Sequence, residues 1–398
     1  MLRNLVAFVL LVTGATTALV AQIRYLPDAL GTWKPWTFTA YPDNRREVAA
    51  QPLEVRALEK QLLALNGIIK STPGFAAPVG FSVETAGYLQ LETYSQSTAA
   101  SRAAAAKRPL PASLNFGAYG VYETAAGVRG DTGETAQLLF FVNQLELPLF
   151  GNSGNDVPEF EHIEADVVLL ASPQPDLFGM PRYGDMLVLK KNAAPIWAAV
   201  PLGEALALAV RGVEARLTSS RDVVSRLQAN YADLTDPAKR AKRVADINAI
   251  APMAKDPDYL DKMMKAEAAM AASAEKQLRG PITDAEKTVA AVERELAAAQ
   301  AAAAGLSAAD RAAPACYASR DRASRFKRAP ADGCVPLIRP NWALFNPALP
   351  RSAPQLLVIS HFTGCVGDGP KPIHAGGCAA NKRLLESIDR EALLAWLQ

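Results

Sequence analysis

Histidine is scarce in this chain: His162, His361 and His374 are the only three in 398 residues. Imidazole is the side chain most often used for proton transfer near neutral pH, so histidine-based chemistry has few places to reside. The serine-hydrolase elbow G-x-S-x-G and the metalloprotease pair H-E-x-x-H are both absent. Ser360 precedes His361 directly. Adjacent residues of a strand point to opposite faces, so these two cannot pair as nucleophile and base. Two enzyme classes survive these absences. A Ser-His-Asp set assembled from distant segments is defined by geometry and not by spacing, and a carboxylate-only enzyme such as a glycosidase needs no histidine.

Charge of one sign is also lacking. The chain holds 42 basic and 40 acidic residues, a net charge of +2. A dedicated nucleic-acid binder would carry a strongly basic face, so that class is set aside. A phosphate-binding loop is missing too. Gly364 and Gly369 have the right separation, but Pro370 displaces Lys371 and Pro372 follows it. The nucleotide loop requires lysine directly after the second glycine, then Ser or Thr, then a helix. Past the N-terminus, no apolar run approaches the roughly 20 residues of a membrane span.

The N-terminus itself has a charged, apolar, small-residue order: Arg3, then Leu5 to Val12, then Thr13 to Ala18. This is the order of a secretory signal peptide, expected over residues 1–21. Cleavage is expected after Thr16-Thr17-Ala18 or after Ala21. The alternative is an uncleaved anchor, but the apolar stretch is short and diluted by Thr and Gly. With no cysteine near the site, lipid anchoring is not expected.

A body of mixed α and β structure is expected over residues 22–200. Trp33, Trp36, Phe38 and Tyr41 lie among prolines and read as an extended segment pinned to the core, or else as the lining of a ligand groove. Val48, Leu58, Leu62, Leu65 and Ile69 recur at helical spacing and Pro73-Gly74 ends that run. Phe81 to Leu91 and Leu114 to Glu123 alternate as half-buried strands. Gln137 to Leu145 is apolar on both faces and reads as a central strand. His162 to Leu170 and Met186 to Lys190 suggest two more strands. His162 lies among Glu159, Glu161, Glu164 and Asp166, a pattern that suits a cation site or, more simply, a solvated strand face.

Residues 203–305 change character. Leu206, Val210, Val213, Leu217, Val224, Leu227, Tyr231 and Leu234 step by fours and threes, with Ser220 in one place. Ile282, Ala285, Val289, Val292, Leu296, Ala299, Ala303 and Leu306 repeat the rhythm. Asp236-Pro237 and Pro252 break the helix, and Gly280-Pro281 predicts a sharp turn. The segment is expected to form an antiparallel, coiled-coil-like helical arm inserted into the chain.

The C-terminal segment, 312–398, holds all four cysteines and is expected to pack back on the body. Gln355 to Ser360 reads as a strand and Asn381 to Leu397 as an amphipathic closing helix. His361, Cys365, His374 and Cys378 have the composition of a tetrahedral zinc set. The same cysteines also suit disulfides, Cys316–Cys334 and Cys365–Cys378, and an even count in an exported chain favours the bridges without a metal. The fold class expected is α+β with a mainly antiparallel sheet. No catalytic or cofactor-binding residue is assigned. The leading functional expectation is an exported, periplasmic or secreted, non-catalytic protein that binds an envelope partner. The alternatives are a cell-envelope hydrolase and a zinc-binding protein.

Overall fold

A computed structural model describes residues 23–40, 52–89, 108–124, 127, 129–131, 136–145, 148, 157–160, 163, 166–170, 174–184, 186–254, 256–318, 325–361 and 375–398. In chain order the elements are β1 (Ile23–Tyr25), β2 (Thr37–Ala40), α1 (Pro52–Ser71), β3 (Phe81–Leu89), β4 (Ala112–Thr124), β5 (Arg129–Asp131) and β6 (Ala136–Val142). There follow β7 (Val168–Leu169), β8 (Gln174–Leu177), β9 (Met180–Tyr183), β10 (Met186–Lys190) and β11 (Trp197–Ala199). Then come the helices α2 (Leu202–Thr235), α3 (Pro237–Ile250), α4 (Tyr259–Ala304) and α5 (Ala308–Ala312). The chain closes with β12 (Ala315–Tyr317), β13 (Phe326–Arg328), β14 (Val335–Pro340), β15 (Leu356–His361), α6 (Ala375–Ser387) and α7 (Arg390–Trp396). Both element types are abundant and the sheets are mainly antiparallel, so the fold is α+β.

The described residues form two compact units, bounded as follows. The first comprises 1–155, 166–198 and 338–398; the second comprises 156–165 and 199–337. In the first, one sheet runs β2-β3-β4-β6-β15-β10-β9-β8, with β1 and β5 added on β4. Among the described residues of this sheet, only β2 and β3 pair as parallel strands. β15 sits between β6 and β10, antiparallel to both, with Val358 opposite Phe141 on one side and Val188 on the other. Its side chains alternate between two cores. Leu357 and Ile359 join Leu58, Leu62, Leu384 and Leu393 from α1, α6 and α7, whereas Leu356 and Val358 join Ile338, Leu344 and Phe345. β6 alternates in the same way, with Phe140 in the first core and Phe141 in the second. Apolarity on both faces thus marks central strands, as the sequence of β6 predicts.

Just after β6, Asn143 adopts φ 59°, the left-handed region that asparagine tolerates better than most residues. Its amide donates to the carbonyls of Leu110 (3.2 Å) and Ala353 (2.9 Å) and accepts from the N–H of Gln355 (2.8 Å) and Leu356 (3.3 Å). A fully buried amide that meets its donors and acceptors in this way fixes the start of β15. The aromatic N-terminal segment behaves as a pinned extension. Trp33, Trp36 and Phe38 pack against the first core, and the Trp33 indole donates to the Phe75 carbonyl at 2.7 Å. Tyr41 lies outside the described residues. β3 is more buried than the half-buried strand expected from its alternation. The expected single closing helix is two, because Asp389 caps α7 by accepting from the Ala392 N–H at 2.9 Å.

In the second unit α2 and α4 lie antiparallel. Arg216 pairs with Glu295, Arg221 with Glu293 (2.7 Å) and Gln228 with Glu286 (2.9 Å), so the partner number falls as the first rises. Val213, Leu217 and Val292 are buried at the seam with Val289 and Leu296 against them. Further out, Val224, Leu227, Tyr231 and Leu234 keep the seam phase but are only half-buried, because two helices cannot enclose a stripe as a bundle does. The sharp turn expected at Gly280-Pro281 is not formed; α4 continues through Pro281 for 46 residues, about 69 Å at 1.5 Å per residue. An interior proline removes one backbone hydrogen bond and costs roughly 3 kcal/mol. Ala274, Leu278, Ile282, Ala285 and Val289 stay in one helical phase across it, so one seam runs on both sides of the proline.

Arg243 in α3 joins the helices. Its guanidinium donates to the last carbonyls of α2, those of Asp233 (2.6 Å) and Leu234 (3.0 Å). It also donates to the buried Glu267 carboxylate of α4 at 3.1 to 3.3 Å. The cation thereby serves the unpaired carbonyls of a helix end. After α5, β12 pairs with β13 and β14, and Cys316 is bonded to Cys334.

Candidate functional site

The expected bridge Cys316–Cys334 is present. Among the described residues no cysteine is free. Cys365 and His374 lie outside the described residues, as does the side chain of His361, so the zinc set and the expected Cys365–Cys378 bridge fall there too; Cys378 itself is buried. Among the described residues no group of three or more His, Cys, Asp or Glu is arranged to hold a metal ion. His162, Glu161 and Glu164 also lie outside them. Of the remaining carboxylates in that cluster, Asp166 is 3.9 Å from Arg339. Glu159 is buried, its side chain only 6% exposed, which is a different placement from the solvated face expected.

Glu159 lies on a 3-10 turn, Pro158–Phe160, and forms one wall of a cleft of about 390 Å³ in the second unit. A Cβ on Gly212 of α2 would lie 1.7 Å from the Glu159 carbonyl oxygen, so only glycine lets the turn rest on that helix. Glu159 Oε1 accepts from Arg325 Nη1 at 2.5 Å, and the same nitrogen is 3.3 Å from the Tyr317 hydroxyl. Glu159 Oε2 is buried and has no hydrogen-bond partner. The Tyr317 phenol pKa is raised, first by burial and then by the Glu159 carboxylate beside it.

The opposite wall comes from α2 and α4. Leu206, Ala209 and Val213 supply apolar surface, and Ala298, Ala299 and Ala302 leave the space open because alanine is short. Arg294 and Glu295 edge the cleft. Arg294 is exposed and has no ion pair among the described residues, while Glu295 accepts from Arg216. Two carboxylates therefore line one cleft, and each is already in an ion pair with an arginine. Phe326 completes the lining and stacks on Phe160 with centroids 5.8 Å apart.

A second cleft, of about 570 Å³, lies in the first unit. Trp342, Phe345, Pro109 and Pro347 line it. The Arg108 guanidinium stacks on Trp342 at 3.3 Å, and Arg351 Nε donates to the Arg108 carbonyl at 2.9 Å. Its polar groups serve one another. A polar cluster on the sheet is likewise internally matched: Lys34 bonds Glu84 at 3.0 Å and lies 4.1 Å from the Tyr119 ring, and Ser82 donates to Asp131 at 2.8 Å.

The far end of the helical hairpin has another character. Ile250, Met253, Leu260 and Met264 surround the turn between α3 and α4 and are all exposed, Met253 by 76%. α3 buries no residue. Among the described residues no helix is long and apolar enough to cross a membrane. No family model, no curated protein and no solved structure matches the chain.

Proposed function

We propose that this chain is an exported protein without catalytic activity of its own, which binds a protein partner in the cell envelope through the far end of the α2–α3–α4 hairpin. The carrying observation is the apolar cluster Ile250, Met253, Leu260 and Met264 around the turn. Scattered single apolar residues are ordinary on surfaces, but a cluster on a solvated helical hairpin suits a contact, and methionine adapts to irregular partner surfaces. Asp256, Asp258 and Asp261 lie among these residues, beside Lys262 and Lys265. An anionic lipid surface selects lysine and arginine; mixed charge around an apolar centre suits the polar rim of a protein interface.

Export is supported by the leader-like order of residues 1–21, and the Cys316–Cys334 bridge is in keeping with an oxidising compartment. The carboxylate form of the hydrolase alternative would rest on Glu159 and Glu295. Both are held by arginines, an arrangement better suited to binding than to proton transfer.

The test is a photo-crosslinking residue at Met253 in cells, with Lys287 as an exposed control position. The reading expects one discrete protein adduct at 253, absent at 287, and lost when Ile250→Asp and Leu260→Asp are combined. An adduct of the chain with itself would assign the surface to self-association. Recovery with membranes after removal of all protein adducts would assign it to lipid. Either result, or no adduct at 253, overturns the proposal.

A further inference from the structure

The α2–α3–α4 hairpin carries helix breakers in both of its runs. In the outgoing run α2 ends at Thr235, Asp236 is extended with ψ 122°, and Pro237 opens α3. In the returning run Gly280 and Pro281 lie inside α4. The two breaks fall at the same height. Arg221 pairs with Glu293 and Gln228 with Glu286, and each pair of numbers adds to 514. The same register sets Pro281 level with Asp233, within one helical turn of Asp236-Pro237.

Packing demands neither breaker in α4. A Cβ on Gly280 would meet nothing within 4 Å, and Pro281 is exposed. Both weaken the helix at that point. Glycine has the widest backbone freedom, while proline offers no N–H to the Gln277 carbonyl and crowds it. Between Ala274 and Val292, no residue of α4 whose side chain is described is buried; Leu278 and Ile282, on either side of the break, are half-buried. A local rule broken with no packing gain marks a functional feature, and proline and glycine are the usual causes of sharp helix bends.

Polar contacts hold the outer piece in line. Arg243 donates to the carbonyls of Asp233 and Leu234 at 2.6 and 3.0 Å, and Lys239 pairs with the Asp233 carboxylate at 3.0 Å. Both donors lie beyond the break and both acceptor residues before it. Within the outer piece, Arg243 also bonds Glu267 at 3.1 Å, which couples α3 to the first half of α4.

We propose that the hairpin is jointed. α3 and the part of α4 from Tyr259 to Arg279 form a finger that pivots on Asp236-Pro237 and Gly280-Pro281, and Arg243 and Lys239 latch it straight. Two breaks at one height are required, because an intact helix alongside would splint a single break. The stretch from Tyr259 to Pro281 is about 33 Å long at 1.5 Å per residue. A bend of about 20°, ordinary at a proline, swings its end by about 11 Å. Ile250 and Met253 ride on this finger. The joint is a property of the hairpin itself and stands whether or not the far end meets a partner.

The experiment is pulsed electron–electron double resonance on the intact protein. A spin label at Ala249 is paired in turn with labels at Ser219 and Ser225, all exposed positions. Ser219 and Ser225 project about 120° apart around α2, so a sideways swing changes at least one distance. With helix axes about 10 Å apart, a swing to either side spreads these distances by about 4 Å. The parent distributions should be wider by about that amount than those of a Gly280→Ala, Pro281→Ala variant, whose α4 is unbroken. Arg243→Ala combined with Lys239→Ala should widen them further. Parent distributions as narrow as those of the Gly280→Ala, Pro281→Ala variant overturn the proposal. So does an unlatched variant no wider than the parent. If losing Arg243 unfolds α3, seen as lost helical circular dichroism, the comparison at Gly280 and Pro281 still decides.

Discussion

The position of β15 makes a sharp demand on the first unit. Leu357 and Val358 are adjacent, and both are inaccessible to solvent, yet they face different cores. A strand at the margin of a sheet, or one covered on a single face, would tolerate truncation of one of the two. Here neither should be tolerated. Leu357→Ala removes three carbon atoms from a core shared with α1, α6 and α7, and comparable deletions cost about 2 to 5 kcal/mol. Val358→Ala removes two carbon atoms from the opposite core, at about 1.5 to 2 kcal/mol, from roughly 0.8 kcal/mol per buried methylene plus a cavity term. For a domain of this size each kcal/mol moves Tm by about 2 to 4 °C. The leucine variant should therefore melt on the order of 8 °C lower, and the valine variant on the order of 5 °C lower. The assay is thermal unfolding combined with amide hydrogen exchange. Exchange should accelerate in β4 and β6, more than 200 residues away in sequence, because β15 is hydrogen-bonded directly to β6. If either variant leaves Tm within about 1 °C of the parent, or if β6 protection is unchanged, the reasoning that two cores, one on each face of β15, unite the C-terminal strand with the N-terminal ones is refuted.

At the base of the hairpin, Val213→Asp with Leu217→Asp places two charges in the buried seam with Val292, and should lower stability by more than about 3 kcal/mol and open 203–305 to proteolysis. Val224→Asp, at a half-buried place, should cost less than half as much; equal effects would mean that the seam is uniform along its length. Replacing Cys316 and Cys334 together by serine should cost about 3 kcal/mol, the loop-closure value for a bridge spanning 18 residues, and an unchanged unfolding midpoint in denaturant would contradict it. The Lys34–Glu84 pair supplies a pH signature. Its hydrogen bond to Lys34 lowers the Glu84 pKa below the ordinary 4.5 and raises that of Lys34 above 10.5. The Glu84 contribution is complete above pH 4.5 and is lost as pH falls through the lowered value; the Lys34 contribution is complete below pH 10.5 and is lost as pH rises through the raised one. Glu84→Gln should flatten the acid limb of stability against pH, and an acid limb identical to the parent's would show that the pair does not couple to folding.

Much of the local structure is written in the order of residues. The fours and threes of 206–234 and 282–306 produced a helical seam whose burial follows the same phase, because a helix face is fixed by 3.6-residue periodicity alone. The apolar run of β6 implied cover on both faces for a similarly local reason. The neighbours of a strand are another matter. Alternation assigns each side chain to a face but carries no information about which strand lies alongside, so the insertion of β15 between β6 and β10 came only with long-range pairing. The continuity of α4 through Pro281 was decided by packing across the proline, although the unbroken phase from Ala274 to Val289 was a legible sign of it. Glu159 was the least legible. Surrounded by acidic residues, it reads as solvated, and its burial depends on a carbonyl resting on Gly212, a contact between segments more than 50 positions apart. Periodicity is a property of the chain, whereas the desolvation of one carboxylate is a property of what folds against it.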